Sequence, residues 1–284
     1  MIAGVVRRTP WLTWRRLRDA TFALLGSTVL ASALHAGALL PPPPNATAGA
    51  VPEVAFIIDD MGSRRDTGRQ VLQLPGPVAC AFLPYAPYTR ELANQAHARD
   101  KEVMLHLPMQ TVESLRLDSG GVTLDMSERE FLDTVRTDLA QVPHVSGINN
   151  HMGSLITRHP GHMLWLMRGM QTDQRLFFVD SRTTKYTVAR QIAYENQVPS
   201  VSRDVFLDAE ISAAGVRREF TRLIELAKRN GSALGIGHPH PQTLALLKQE
   251  LPRLAAHGVK IVPVSRLVER QQERDSLWRA SLSP

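Results

Sequence analysis

The chain has 284 residues, 43% of them hydrophobic and 21% charged, enough for one large α/β domain with a substantial core. Its net charge of +6 is concentrated at the start: Arg7, Arg8, Arg15, Arg16 and Arg18 against Asp19 give +4 in residues 1–36 and leave +2 for residues 37–284. No basic stripe interleaved with aromatics remains in the body, which excludes a nucleic-acid-binding surface of the usual kind. Cys80, the single cysteine, excludes an intramolecular disulfide and a cysteine-based metal cluster. It reads as a small core residue.

Residues 1–40 read as an address. The arginines precede an apolar stretch from Ala20 to Leu30 and then Ala31-Ser32-Ala33, the pattern of a secretory signal peptide. The apolar stretch extends to Leu40 with His35 as its interruption, so an uncleaved membrane anchor fits equally. Residues 41–51, Pro41-Pro42-Pro43-Pro44 followed by Asn45-Ala46-Thr47-Ala48-Gly49-Ala50, form a stiff and then flexible linker.

From residue 52 to 270 strand and helix patterns alternate. Strands are predicted at Val54–Asp60, Val78–Tyr85, Glu102–Pro108, Gly147–Gly153, Leu176–Ser181, Ser200–Leu207, Ala233–His238 and Val259–Val264. Amphipathic helices are predicted at Arg64–Gln73, Thr89–Arg99, Ser127–Gln141, His159–Gln171, Thr187–Asn196, Ala213–Arg229 and Gln242–His257. Ser127-Glu128-Arg129-Glu130 has the form of a capping box, and Asn230-Gly231 and His257-Gly258 read as helix stops. Residues 271–284 read as a polar, frayed helical tail. Seven or eight strand–helix repeats imply a mainly parallel sheet closing into a distorted (β/α)7–8 barrel. No Gly-rich phosphate loop follows the first strand, so nothing recommends a nucleotide-binding version of the fold.

Ionisable side chains recur at the carboxyl ends of these strands, the face on which parallel α/β folds build active sites. The set comprises Asp59-Asp60, His106, Asn149-Asn150-His151, Ser154, Asp180 with Arg182, Arg203-Asp204 with Asp208 after it, and His238-Pro239-His240. On its own Asp59-Asp60 also fits a solvated turn, and His106, between two leucines, also fits a core histidine. His97, His144, His159, His162 and His257 fall in helices or connections and read as surface residues. Two histidines and a carboxylate suit a divalent metal, Zn2+ foremost. Asp60, His106 and His151 are the expected ligands, Asp59 the base and His238 the acid, with Asp180 or Arg182 orienting a neighbour. Asn149, Asn150, Ser154, Asp204 and His240 are the expected substrate-binding residues.

Read in order, Ile57-Ile58-Asp59-Asp60-Met61-Gly62, Leu105-His106-Leu107-Pro108-Met109, Asn149-Asn150-His151-Met152-Gly153-Ser154, Phe178-Val179-Asp180-Ser181-Arg182 and Gly237-His238-Pro239 resemble the divergent polysaccharide deacetylase family. That family is a secreted bacterial branch of the NodB-homology carbohydrate esterases, and the resemblance covers about residues 52–268. It implies a distorted (β/α) barrel and metal-dependent removal of N-acetyl groups from a polysaccharide or peptidoglycan-like glycan. It also implies export to the periplasm, or anchoring at the inner membrane facing it. In the better-known deacetylases an Asp-Asp motif supplies base and metal ligand, matching Asp59 and Asp60. Their next motif holds two histidines four residues apart; His106 matches the first, and Gln110 stands at the second. Their Arg-x-Pro-Tyr motif gives way here to the stretch around His151, which we read as the replacement ligand. Their late Leu-x-His motif matches Ile236-Gly237-His238. The alternative to a hydrolase is a catalytically inactive glycan-binding or envelope-assembly module on the same fold.

Overall fold

The computed structural model describes residues 50–172 and 176–282; the expected signal or anchor and nearly all of the linker lie outside them. Strand β1 (Glu53–Met61) is buried at every residue but Asp60, as its five consecutive apolar residues require. It pairs with β2 (Ala79–Phe82) on one side and β8 (Ser232–Gly237) on the other. Beyond β2 follow β3 (Val103–Met109), β4 (Val145–Met152), β5 (Phe177–Asp180) and β6 (Ser200–Ser202), while β7 (Val205–Phe206) flanks β8. Each pairing of these strands is parallel. Between them run α1 (Arg65–Leu72), α2 (Thr89–His97), α3 (Glu128–Gln141), α4 (Pro160–Met170), α5 (Ala189–Glu195), α6 (Ala213–Asn230) and α7 (Pro241–Glu250). The chain ends with β9 (Lys260–Ile261) and α8 (Val264–Leu282).

The expected strand Ser200–Leu207 is two strands. β6 and β7 stand at opposite ends of the pairing order, yet only Arg203 and Asp204 separate them. Arg203 N–H donates to the Asp180 carbonyl and Asp204 N–H to the Leu234 carbonyl, both at 2.9 Å. The segment therefore leaves β5 for β8 in two residues and closes the distorted barrel.

Side-chain alternation then sorts two cores. Ala55, Ile57, Ala81, Met104, Val179 and Ile236 fill the barrel interior, joined by Val264, Leu267 and Val268 of α8. Phe56, Ile58, Phe82, Leu105, Ile148 and Phe178 take the opposite parity and pack beneath the helices. Each such side chain contributes about 1.5–3 kcal/mol when fully buried. The Glu102 carboxylate accepts from the backbone N–H groups of Val264 (2.6 Å) and Ser265 (3.1 Å), fastening the start of α8 near the amino end of β3.

Three boundaries differ from expectation. The last predicted strand shrinks to Lys260–Ile261, because Val264 already begins α8. Helix α7 stops at Glu250, well short of the expected His257-Gly258, where a 3-10 turn at Leu251–Arg253 takes over. The expected polar tail is a continuation of α8: Asp275 is buried against Arg190 of α5 at 2.8 Å, so the helix is packed there. By contrast the capping box at Ser127–Glu130 and the left-handed stop at Gly231 form as their residues dictate.

Candidate metal centre and its acid–base flank

The parity that fills the barrel interior also aims the polar residues at its mouth. Ala55 and Ile57 lead to Asp59, Met104 to His106, Gly147 to Asn149 and His151, and Ile236 to His238. Asp60 has the wrong parity, since a regular strand would turn it toward the helices. Two features redirect it. Its backbone is left-handed (φ 55°), which aspartate tolerates better than most residues, and the pairing with β2 gains an extra residue between Ile58 and Met61. Gly62 then takes φ 104°, where a Cβ would fall 2.2 Å from Thr89 Oγ1. The bulge therefore places both carboxylates on one side of the strand.

Three ligand atoms converge there. Asp60 Oδ1 lies 3.0 Å from His151 Nδ1 and 3.3 Å from His106 Nε2, and the two imidazole nitrogens are 3.1 Å apart. Atoms about 2.0–2.2 Å from a shared Zn2+ stand roughly 2.8–3.6 Å from one another. Asp60 Oδ1 is buried and receives no aligned hydrogen bond despite its imidazole neighbours, the condition of an oxygen directed at a cation. Burial works against its charge, but His106 and His151 hold its pKa well below the usual carboxylate range. Two imidazoles and a carboxylate fit a divalent metal, Zn2+ among them.

Asn149 sets the orientations around this triangle. It pairs with His106 across β3 and β4, and its Oδ1 meets His106 Nδ1 at 2.8 Å. With the amide so placed, the proton belongs on Nδ1, and the Nε2 lone pair faces the triangle. Asn149 Nδ2 donates to Asp59 Oδ1 at 2.8 Å and to Ser181 Oγ at 3.3 Å. Asp59 is buried, with its second oxygen 3.7 Å from His106 Nε2. Burial raises its pKa, opposed by His106, His238 and the Asn149 amide. Burial lowers that of His106, yet Asp59 and Asp60 more than offset it and the net direction is upward.

Across the mouth, His238 Nε2 lies 4.0 Å from Asp60 Oδ2. Its partner is Asp208, whose oxygens accept from the His238 backbone N–H (2.6 Å), its ring Nδ1 (2.9 Å) and the Thr243 hydroxyl (2.9 Å). Burial opposes the charge on His238, but Asp208, Asp59 and Asp60 prevail and lift its pKa to about 9. Asp208, His238 and His240 also lie within reach of one another. The Asp208 oxygens are already taken up by these donors, so Asp208 holds the His238 ring in place. A cavity of about 430 Å3 opens beside the centre, lined by Asp60, Ser63, Arg64, His238, His240 and Leu244.

Several expected site residues are placed elsewhere. Asp180 shares the parity of Phe178 and turns to the β5–α5 connection, accepting from Arg182 N–H (2.9 Å) and the Thr187 hydroxyl (3.0 Å). Asn150 fastens β4 to β5 by accepting from Ser181 N–H (2.9 Å) and donating to the Met152 carbonyl (2.8 Å). Asp204 accepts from Leu234 N–H at 2.8 Å within the barrel seam. Ser154 accepts from Val112 N–H (3.0 Å) and donates to Glu113 (2.9 Å). Arg182, at φ 48°, is exposed, and its carbonyl accepts from Arg203. The carboxylate in contact with the His238 ring is Asp208, two residues past β7. The one available signal was an acidic residue just beyond a strand end.

The model of the divergent polysaccharide deacetylase family matches residues 56–268. An uncharacterized protein of Haemophilus influenzae is 38% identical over 202 residues, covering 71% of this chain and 72% of that one. The uncharacterized protein YibQ of Escherichia coli is 37% identical over 220 residues, covering 78% and 68%. Among solved structures, an uncharacterized protein from Agrobacterium tumefaciens superposes with a TM-score of 0.72 at 20% identity, over 79% of this chain and 92% of that one. A lactam utilization protein from Thermus thermophilus gives 0.50 at 16% identity, over 75% and 98%. These two likenesses show the fold. The family match, with sequence relatives above 35% identity over most of their length, shows that the chain belongs to the divergent polysaccharide deacetylase family.

Proposed function

We propose that this protein is a metal-dependent hydrolase of the cell envelope that removes N-acetyl or ester-linked acyl groups from a polysaccharide. The observation that carries this reading is the triangle of Asp60 Oδ1, His106 Nε2 and His151 Nδ1, with the buried Asp59 carboxylate on one side and the Asp208-held His238 imidazole on the other. A bound divalent ion, Zn2+ foremost, would polarise the acyl carbonyl and acidify water. Asp59, held by Asn149, accepts a proton from the attacking water. His238, held by Asp208, gives a proton to the departing amine or alcohol, so that the acyl C–N or C–O bond breaks and a carboxylic acid leaves. The cavity beside Asp60 and His238 receives the sugar, with Arg64 and His240 at its wall. The arginine-led apolar N-terminus supports export to the periplasm, free or tethered to the inner membrane.

The test is acetate release from N-acetylated and O-acetylated envelope glycans by the full chain, before and after chelation. Release that stops with chelator and returns with Zn2+ supports the proposal. Release indifferent to both, or none from any acylated glycan with the metal bound, contradicts it.

A further inference from the structure

We infer that Asp118 is a positioning residue that holds His151 in its ligating orientation, and that the connection between β3 and α3 (residues 110–127) is the strap that delivers it. The inference rests on the metal reading of Asp60, His106 and His151 given above.

His151 faces the triangle with Nδ1, and its other nitrogen, Nε2, lies 3.1 Å from Asp118 Oδ2. A ring that gives one lone pair to a cation carries its proton on the other nitrogen. That N–H needs an acceptor, and a carboxylate there fixes the tautomer and makes the ligating nitrogen more basic. His151 Nε2 is buried and its contact with Asp118 is within hydrogen-bond distance but not aligned in this pose. The Asp118 side chain is half exposed. His106 has its own backing partner in Asn149, so each ring is supported from behind, one by an amide and the other by a carboxylate.

The strap is built to hold that carboxylate. Its stem is bridged at Met109 and Val122: Val122 N–H donates to the Pro108 carbonyl at 2.9 Å, and Gln110 N–H to the Val122 carbonyl at 3.0 Å. Gln110 Oε1 accepts from Leu124 N–H at 2.8 Å, and the Gln110 carbonyl accepts from Leu155 N–H at 3.2 Å. Gln110 is the residue that stands where the resemblance calls for a second histidine. Here it ties the strap, while the second imidazole arrives from β4. Two residues beyond Asp118, Gly120 takes φ 84° and lies flat on its neighbours. A Cβ at that position would fall 2.4 Å from Asp138 Oδ1 and 2.7 Å from Tyr85 Cε2. The strap is thus pressed against α3 at the point that sets the reach of Asp118.

The experiment is calorimetric titration of the full chain with Zn2+, alongside the visible absorption of the Co2+ form. Asp118→Asn should leave the thermal unfolding of the metal-free protein unchanged, weaken Zn2+ binding about 10–100-fold and alter the Co2+ spectrum. Asp118→Glu should restore most of the affinity, and Gly120→Ala, which touches no ligand, should weaken binding by displacing the strap. Wild-type protein that binds the ion while Asp118→Asn binds equally well with the same spectrum overturns the inference alone. Wild-type protein that binds no divalent ion overturns the metal reading, and the inference with it.

Discussion

Asp208 grips His238 at two points, its carboxylate accepting both the backbone N–H at 2.6 Å and the ring Nδ1 at 2.9 Å. Burial alone would depress the imidazole pKa. Asp208, Asp59 and Asp60 reverse that and carry it from 6.5 to about 9. A histidine with a raised folded-state pKa is charged at neutral pH. Its contribution to stability is complete below about 6.5 and is lost as pH rises toward about 9. Any capacity to act as the proposed acid would disappear over the same upper range. The pH–rate profile should therefore hold at neutral pH and fall through an alkaline limb. Asp208→Asn should move that limb downward by on the order of one pH unit or more. An unmoved limb in that variant would show that His238 is not the proton donor.

Asp59→Asn tests the base separately from the metal. Asn149 Nδ2 can donate to an amide oxygen as it does to Asp59 Oδ1, so the variant keeps its local hydrogen bond. Zn2+ affinity should stay close to wild type while kcat falls about 10²–10⁴-fold, the usual contribution of a positioned base. If acetate release persists at the wild-type rate, the base lies elsewhere. If the variant still fulfils the protein's cellular role, the glycan-binding alternative gains.

Asp138 makes a prediction about stability. It is fully buried on α3, neither oxygen has an aligned hydrogen bond, and the Tyr85 phenol only partly offsets the burial that pushes its pKa to about 8. A carboxyl whose folded pKa exceeds its unfolded value costs stability progressively as pH rises from about 4 to about 8. Asp138→Asn removes the titration at nearly constant volume. The variant should melt several degrees higher at pH 8, on the basis of about 2–4 °C per kcal/mol for a domain of this size. The gain should vanish near pH 4. A variant less stable than wild type at pH 8 would mean the carboxylate has a partner that burial alone does not reveal.

Much of the barrel was legible because its strands are short apolar runs closed by polar residues, with helices of the right length between them. Asp59, His106, His151 and His238 could be placed at the mouth because each falls at the carboxyl end of such a run. Direction was harder to read. Asp180 and Asn150 sit at strand ends as well, but a shift of one residue turns a side chain to the opposite face. Asp60 shares their unfavourable parity and reaches the mouth only through a bulge at φ 55°, which no local pattern announces. The split at Arg203–Asp204 depends on pairing with β5 on one side and β8 on the other, which nothing within residues 200–207 announces. Asp208 and Asp118 lie outside the strands, and their partners His238 and His151 are 30 and 33 residues away.

The most direct test of the metal centre is an anomalous difference map from crystals of the full chain soaked in Zn2+. The account predicts one strong peak within bonding distance of Asp60 Oδ1, His106 Nε2 and His151 Nδ1, with His238 still held by Asp208 and outside the coordination sphere. A peak centred on Asp208, His238 and His240, or no peak at the barrel mouth at all, would contradict it.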